Sequence, residues 1–255
     1  SHADTEEKLD LLRMSVVSLK NQGQCVVVSS HIPVPKEIAE ISDYVVIDKE
    51  NPVIYDHEYS KLGVDTVHFM NYPDFYMTYS FDFNHGYAAL KLIKNGAALA
   101  HANNYRVCHF VNYDYILVDP EVLWTNSKDL ANYSIVGYTW GHDDAINTGL
   151  FSTHTETAIN LFEKFKQKSD YATHSGGAVL ENLVYLEARN AGLTMRMSDI
   201  KELSPDNIIN AKNAKTRPTL TTKNGEESVI HLAKDRDGNT YLFAQGTRDE
   251  PLVFN

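Results

Sequence analysis

The stretch Tyr105-Arg106-Val107-Cys108-His109-Phe110-Val111-Asn112-Tyr113-Asp114 decides how the chain is read. Its first seven residues form a largely apolar run, the pattern of a buried strand, and Asn112-Tyr113-Asp114 follows at once. A carboxylate at a strand terminus, with a second oxygen-bearing side chain two residues away, can present hard ligands to a divalent cation. The same tripeptide also makes an ordinary turn, in which Asn and Asp side chains bond nearby backbone amides. The flanking elements bear on the choice.

Upstream, residues 86–102 place Ala89, Leu90, Ile93 and Ala97 on one stripe, which predicts a helix. Earlier still, residues 5–20 space Leu9, Leu12, Val16 and Leu19 three or four apart behind an acidic first turn, and Asn21-Gln22-Gly23 closes that helix. Cys25–Ser29 and Tyr44–Ile47 read as buried strands on either side of a short helix from Pro35 to Ile41. Downstream, Ser134–Thr139 and Asn147–Ser152 read as strands, and 155–167 and 177–190 as helices. This alternation argues for an α/β fold with a mostly parallel sheet covered on both faces. Ligands then bind at the carboxyl ends of the strands, where Asn112 and Asp114 fall. Beyond residue 205 the texture turns polar, and Ser228–Ala233 and Thr240–Ala244 flank Asp235-Arg236-Asp237-Gly238-Asn239 as a hairpin. The expected division is a domain over 1–205 and a small β appendage over 206–255.

Composition bounds the function. The 255 residues carry 23 Lys+Arg against 34 Asp+Glu, a formal charge of −11, which suits nucleic acid poorly. No apolar run approaches the roughly 18–20 residues of a membrane span. Cys25 and Cys108 sit in apolar runs and are expected buried and reduced. With no secretory signal, that points to the cytoplasm, and Ser1-His2-Ala3 reads either as a cloning scar or as the end of a first strand cut off upstream.

The order of blocks resembles the inverting glycosyltransferases with the GT-A fold. Asn84-His85-Gly86, a helix holding Asn95-Gly96 and Ala100, Asn103-Asn104-Tyr105, the strand and Asn112-Tyr113-Asp114 look like that family's Asn/Gly-rich helix and the strand ending in its Asp-x-Asp metal motif. Ser1-His2-Ala3-Asp4-Thr5-Glu6-Glu7-Lys8-Leu9 looks like its first strand end and first helix, and Ser29-Ser30-His31 falls where it contacts nucleotide. Leu180-Glu181-Asn182-Leu183, then Arg189 and Gly192, look like the acidic motif that opens a late helix. The likeness covers roughly residues 1–200, and glycan-modifying enzymes of large viruses, phages and surface-polysaccharide loci are nearest in texture.

The resemblance implies a GT-A-like Rossmann-type mixed sheet flanked by helices. It also implies a metal-dependent transfer of a sugar from a nucleoside diphosphate sugar, a uridine one by family habit, to a glycan hydroxyl. Asp114 would hold Mn2+ or Mg2+ with help from Asn112; His2, Ala3, Asp4, Ser30, His31 and Asp48 would lie near the nucleotide. Two departures stand out: Asn112 replaces the first metal-binding Asp, and Asn182 stands where the family places its base. Glu181, Asp143 or Asp144 could serve instead, or the enzyme retains configuration and needs no such base. On a helix buried through Leu180, Leu183 and Val184, Glu181 lies about 140° from the apolar centre, facing solvent or a cleft, whereas Glu187 falls on the apolar face and calls for a cationic partner.

Other residues admit two readings each. His142-Asp143-Asp144 is a loop at the same sheet edge or an acceptor contact; His231 is a half-buried strand residue or, by resemblance, a late metal ligand. Gly176-Gly177 is a junction or a close approach for diphosphate. Tyr55, Tyr59, Tyr72, Tyr76 and Tyr79 pack a core or stack on sugars. Two rivals remain: a sugar nucleotidyltransferase, which would want a basic Gly-rich loop where Ser1–Lys8 offers acids, and a non-catalytic carbohydrate-binding module, to which Asn112 and Asn182 lend weight.

Overall fold

Helix α1 (Glu6–Asn21) opens on Thr5, whose hydroxyl accepts from the Lys8 amide, with Glu6 and Glu7 in the first turn and Lys20 in the last. Gly23, at φ +72°, turns the chain out of it. The structure is a computed structural model that describes residues 3–50, 52–55, 58, 61, 83–117, 119, 121–139, 144–175 and 180–200. Only backbone is described at 83–84 and in the strands beyond 207.

After α1 come β1 (Val27–Ser30), α2 (Lys36–Ile41), β2 (Tyr44–Ile47), β3 (Ile54–Tyr55), β4 (Phe83–Asn84) and α3 (Gly86–Ala102). Then follow β5 (Val107–Val111), β6 (Tyr115–Leu117), α4 (Glu121–Asp129), β7 (Ile135–Thr139), β8 (Leu150–His154), α5 (Thr155–Phe162), α6 (Lys168–Ser175), α7 (Leu180–Asn190) and β9 (Met195–Asp199). The last strands are β10 (Ile208–Asn210), β11 (Thr219–Thr221), β12 (Glu227–Lys234), β13 (Thr240–Ala244) and β14 (Leu252–Val253).

The result is a mixed α/β fold. A four-stranded sheet runs β5-β8-β7-β9, and β1 pairs in parallel with β2 in a separate two-stranded sheet. Helix α3 packs on both β1 and β5, and on α5 and α7. Its Leu90 and Ala97 join Ile135, Phe151, Phe162, Leu183 and Ala188 in the largest apolar cluster. Each large side chain fully buried there stabilises the fold by about 1.5–3 kcal/mol.

The expectation of a mostly parallel sheet is corrected. β8 runs antiparallel to both β5 and β7, and only β7–β9 is parallel within this sheet. Only residues 140–149 join β7 to β8, too short a connection for the crossover of a dozen or more residues that a parallel neighbour needs. Sequence reading also passed over β6, α4 and α6, and ran the 155–167 helix past its end at Phe162. Cys25 is exposed, not buried: it lies in the coil ahead of β1, beside Asp43 and Tyr105. Cys108 is half-buried, and burial pushes its thiol pKa up.

The C-terminal hairpin is β12 against β13, in register from Ile230↔Ala244 to Lys234↔Thr240. β10, past the expected boundary at 205, pairs with β6, and β13 lies against α1. Among the described residues no helix is long and apolar enough to cross a membrane.

Candidate functional site

Asn112-Tyr113-Asp114 is a turn at a strand end. The Asn112 amide donates to Gly149 O at 2.9 Å, continuing the β5–β8 ladder, and the Tyr115 amide closes back on Asn112 O at 3.0 Å. The turn therefore leads straight from β5 into β6. Asn112 is exposed on its outside, while Asp114 is buried.

The segment 144–149 ties this turn to α7. Asn147 Nδ2 donates to Tyr115 Oη at 3.0 Å, and Asn147 Oδ1 accepts from the Gly149 amide at 2.8 Å. Gly149 is required by space: a Cβ there would meet Tyr115 Cε2 at 2.5 Å. Next along, Thr148 Oγ1 donates to Glu181 Oε1 at 2.8 Å, and the Ile146 amide donates to Glu181 O at 3.1 Å. Glu181 is half-buried and faces this segment instead of open water.

Tyr115 is within electrostatic reach of both Asp114 and Glu181. Burial pushes its phenol up to about 12 against the hydrogen bond from Asn147, with Asp114 and Glu181 adding to the rise. Asn182 donates from Nδ2 to Asp144 O at 3.0 Å and braces the loop. Glu187 finds its cation in Lys164. Gly192, at φ +68°, ends α7, and Arg189 lies over the Tyr185 ring.

Of the residues expected near the nucleotide, Ser30, His31 and Asp48 lie at the carboxyl ends of β1 and β2. Ser30 is buried, and its hydroxyl accepts from the Ile32 amide at 3.3 Å. His31 is buried with Nδ1 3.1 Å from Asp48 O and Nε2 3.0 Å from Ala88 O. Both partners are carbonyl acceptors, so a neutral ring satisfies one and an imidazolium both. Asp48 Oδ2 takes Lys91 Nζ and Asn95 Nδ2, each at 3.1 Å, while Oδ1 accepts from the Glu50 amide. Burial works against that carboxylate, but these bonds outweigh it and hold its pKa below the usual range. His31 and Asp48 thus fasten β1 and β2 to α3. Ala3 belongs to the core cluster under α1, and Asp4 pairs with Lys8. His2, Asp143, His142, Gly176, Gly177, Tyr59, Tyr72, Tyr76 and Tyr79 lie outside the described residues, as does the side chain of His231. Tyr55 is exposed.

Among the described residues no group of three or more His, Cys, Asp or Glu is placed to hold a metal. One carboxylate and one amide make too small a set for a cation bound by protein alone. Both are hard oxygen donors, and magnesium or manganese takes such donors beside water and phosphate oxygens.

Sequence reading overlooked Tyr115, Asn147 and Thr148. The signal available was Asn147-Thr148-Gly149 immediately ahead of an apolar strand.

No family model matches the chain, and no curated protein matches it. Among solved structures it is similar to a Desulfovibrio desulfuricans G20 protein whose assignment as a nucleotide-diphospho-sugar transferase is itself provisional. The two share 11% identity over 84% of this chain and 80% of that one, with a TM-score of 0.41. A likeness of that degree decides neither fold nor activity.

Proposed function

We propose that the chain is a GT-A-like glycosyltransferase that moves a sugar from a nucleoside diphosphate sugar, a uridine one by resemblance, to a glycan hydroxyl. The observation that carries this reading is the tie between the turn after β5 and α7: Asn147 bonds Tyr115, the neighbour of Asp114, and Thr148 bonds Glu181. The two carboxylates come from different elements, which allows them different tasks.

Asp114, with Asn112 beside it, would hold Mn2+ or Mg2+ together with the donor's diphosphate. When bound, the cation offsets negative charge growing on the departing phosphate. Glu181 would accept the proton of the acceptor hydroxyl. The hydroxyl oxygen bonds to the anomeric carbon as the bond from that carbon to the diphosphate oxygen breaks. The electron pair leaves with the nucleoside diphosphate, and configuration inverts. The hydrogen bond from Thr148 would fix the Glu181 carboxylate in place. Ser30, His31, Asp48, Ala3, Asp4 and His2 would edge the nucleoside pocket, with His31 and Asp48 acting through the position of β1 and β2.

Glu181→Gln keeps the Thr148 acceptor but removes the base. We expect the transfer rate to fall about 10²–10⁴-fold with uridine diphosphate affinity unchanged. Undiminished transfer would remove Glu181 from this role. Asn112 and Asn182 favour a second reading, a module that binds carbohydrate without catalysis. That reading expects sugar binding with no divalent-dependent nucleotide binding.

A further inference from the structure

Beside α4 lies an open cavity of about 210 Å³ whose polar wall is Glu121, Thr125, Asn126, Tyr138, Arg196 and Ser198, with Glu121 and Thr125 exposed at its mouth. Val122 and Val136 complete the lining, and none of the residues assigned to the transfer site takes part. Its volume equals roughly seven waters, room for one small ring.

The polar wall is built, with its protons already committed. Ser127 Oγ donates to Leu123 O at 2.9 Å, so it can only accept from His109 Nε2, 3.2 Å away. His109 Nδ1 then accepts from Ser152 Oγ at 2.7 Å. Ser152 Oγ accepts from Asn126 Nδ2 at 3.0 Å, and Asn126 Oδ1 accepts from Tyr138 Oη at 2.9 Å. Asn126 and Tyr138 are 1% and 6% exposed, so the end of the chain at the cavity is held away from water, while Ser127 at the other end is exposed. It runs one way, from Tyr138 to Leu123 O. The Tyr138 proton is committed to Asn126, so its oxygen can only accept from a further partner.

Charge selects in the same direction. Arg196 is paired with Asp129, so the cavity has no surplus cation to attract an anion. Glu121 adds a second acceptor, and Ser198 and Thr125 add hydroxyls that both donate and accept. The valines and the Tyr138 ring supply apolar faces. A ligand rich in hydroxyl donors, uncharged, with C–H faces, matches this lining.

We infer that this cavity is a second binding site, which takes one ring of a neutral sugar. It does not depend on the transfer reaction proposed above. The test is saturation-transfer NMR on the full chain with D-glucose, D-galactose and N-acetyl-D-glucosamine through the millimolar range, with inorganic phosphate and glycine as charged probes. Tyr138→Phe and Ser198→Val are compared with the parent, thermal melts confirm that each folds, and Ser198→Val decides alone if the phenylalanine variant does not. We expect saturable binding of at least one sugar, weakened about tenfold in either variant, with uridine diphosphate binding unaltered. Absence of sugar binding, tighter binding of phosphate or glycine, or sugar binding indifferent to the variants would each overturn the inference.

Discussion

His109 is neutral in the folded protein because its ring sits inside a directed hydrogen-bond chain, and burial lowers its pKa to about 4. An exposed imidazole titrates near 6.5. Between those values the unfolded chain binds a proton that the folded one does not, so stability is full above about pH 6.5 and falls as the pH drops toward 4. Urea denaturation at pH 7 and pH 5 should show this residue costing about 2 kcal/mol of stability, and His109→Gln should lack that loss. An equal pH dependence in both proteins would contradict the assignment. At this scale the sequence was informative where a residue broke its pattern. Glu187 on an apolar face demanded a cation, and Lys164 supplies it. His31 and Asp48 were less legible, because nothing local reveals that a strand-end side chain is engaged by a helix whose Lys91 and Asn95 lie more than forty positions on.

Helix α3 is the element that fastens β1 and β2 to the rest, and Asp48 with Lys91 is its polar clasp. Lys91 also bonds Glu50 Oε2 at 2.7 Å, so the cation bridges two acids. We expect Asp48→Ala to destabilise the fold by about 1–3 kcal/mol at neutral pH. Because the folded Asp48 pKa lies below its ordinary value, the contribution is present above about pH 3.9 and fades as the pH falls through the folded value. Thermal melts of parent and variant at pH 7 and pH 3 check both points, and a gap undiminished at the lower pH would count against them. Elements with a clean apolar period were legible: α1, α3 and β2 appear close to where the spacing puts them. α4 was not, since its inward face carries Asn126 beside Val122 and Leu123 and blurs the period. Strand direction was not legible either, because β8 depends on the length of a loop and not on its own residues.

Across the whole molecule, an acidic mixed α/β fold sets Asp114 in the turn after β5, Glu181 on α7 bonded to Thr148, and a separate polar cavity beside α4. The tie between that turn and α7 was hidden in the sequence, where Asp114 and Glu181 lie 67 positions apart, and emerges only through Tyr115, Asn147, Thr148 and the space that Gly149 leaves. The strand-end carboxylate itself was legible, since an apolar run followed by Asn112-Tyr113-Asp114 puts it there. The central claim is that Asp114 holds a divalent cation on the diphosphate of a nucleotide sugar. Calorimetry of uridine diphosphate binding, with and without manganese, on the parent and on Asp114→Ala tests it most directly. Binding should need manganese in the parent and be lost in Asp114→Ala. Binding that is independent of manganese and equal in both proteins would contradict it.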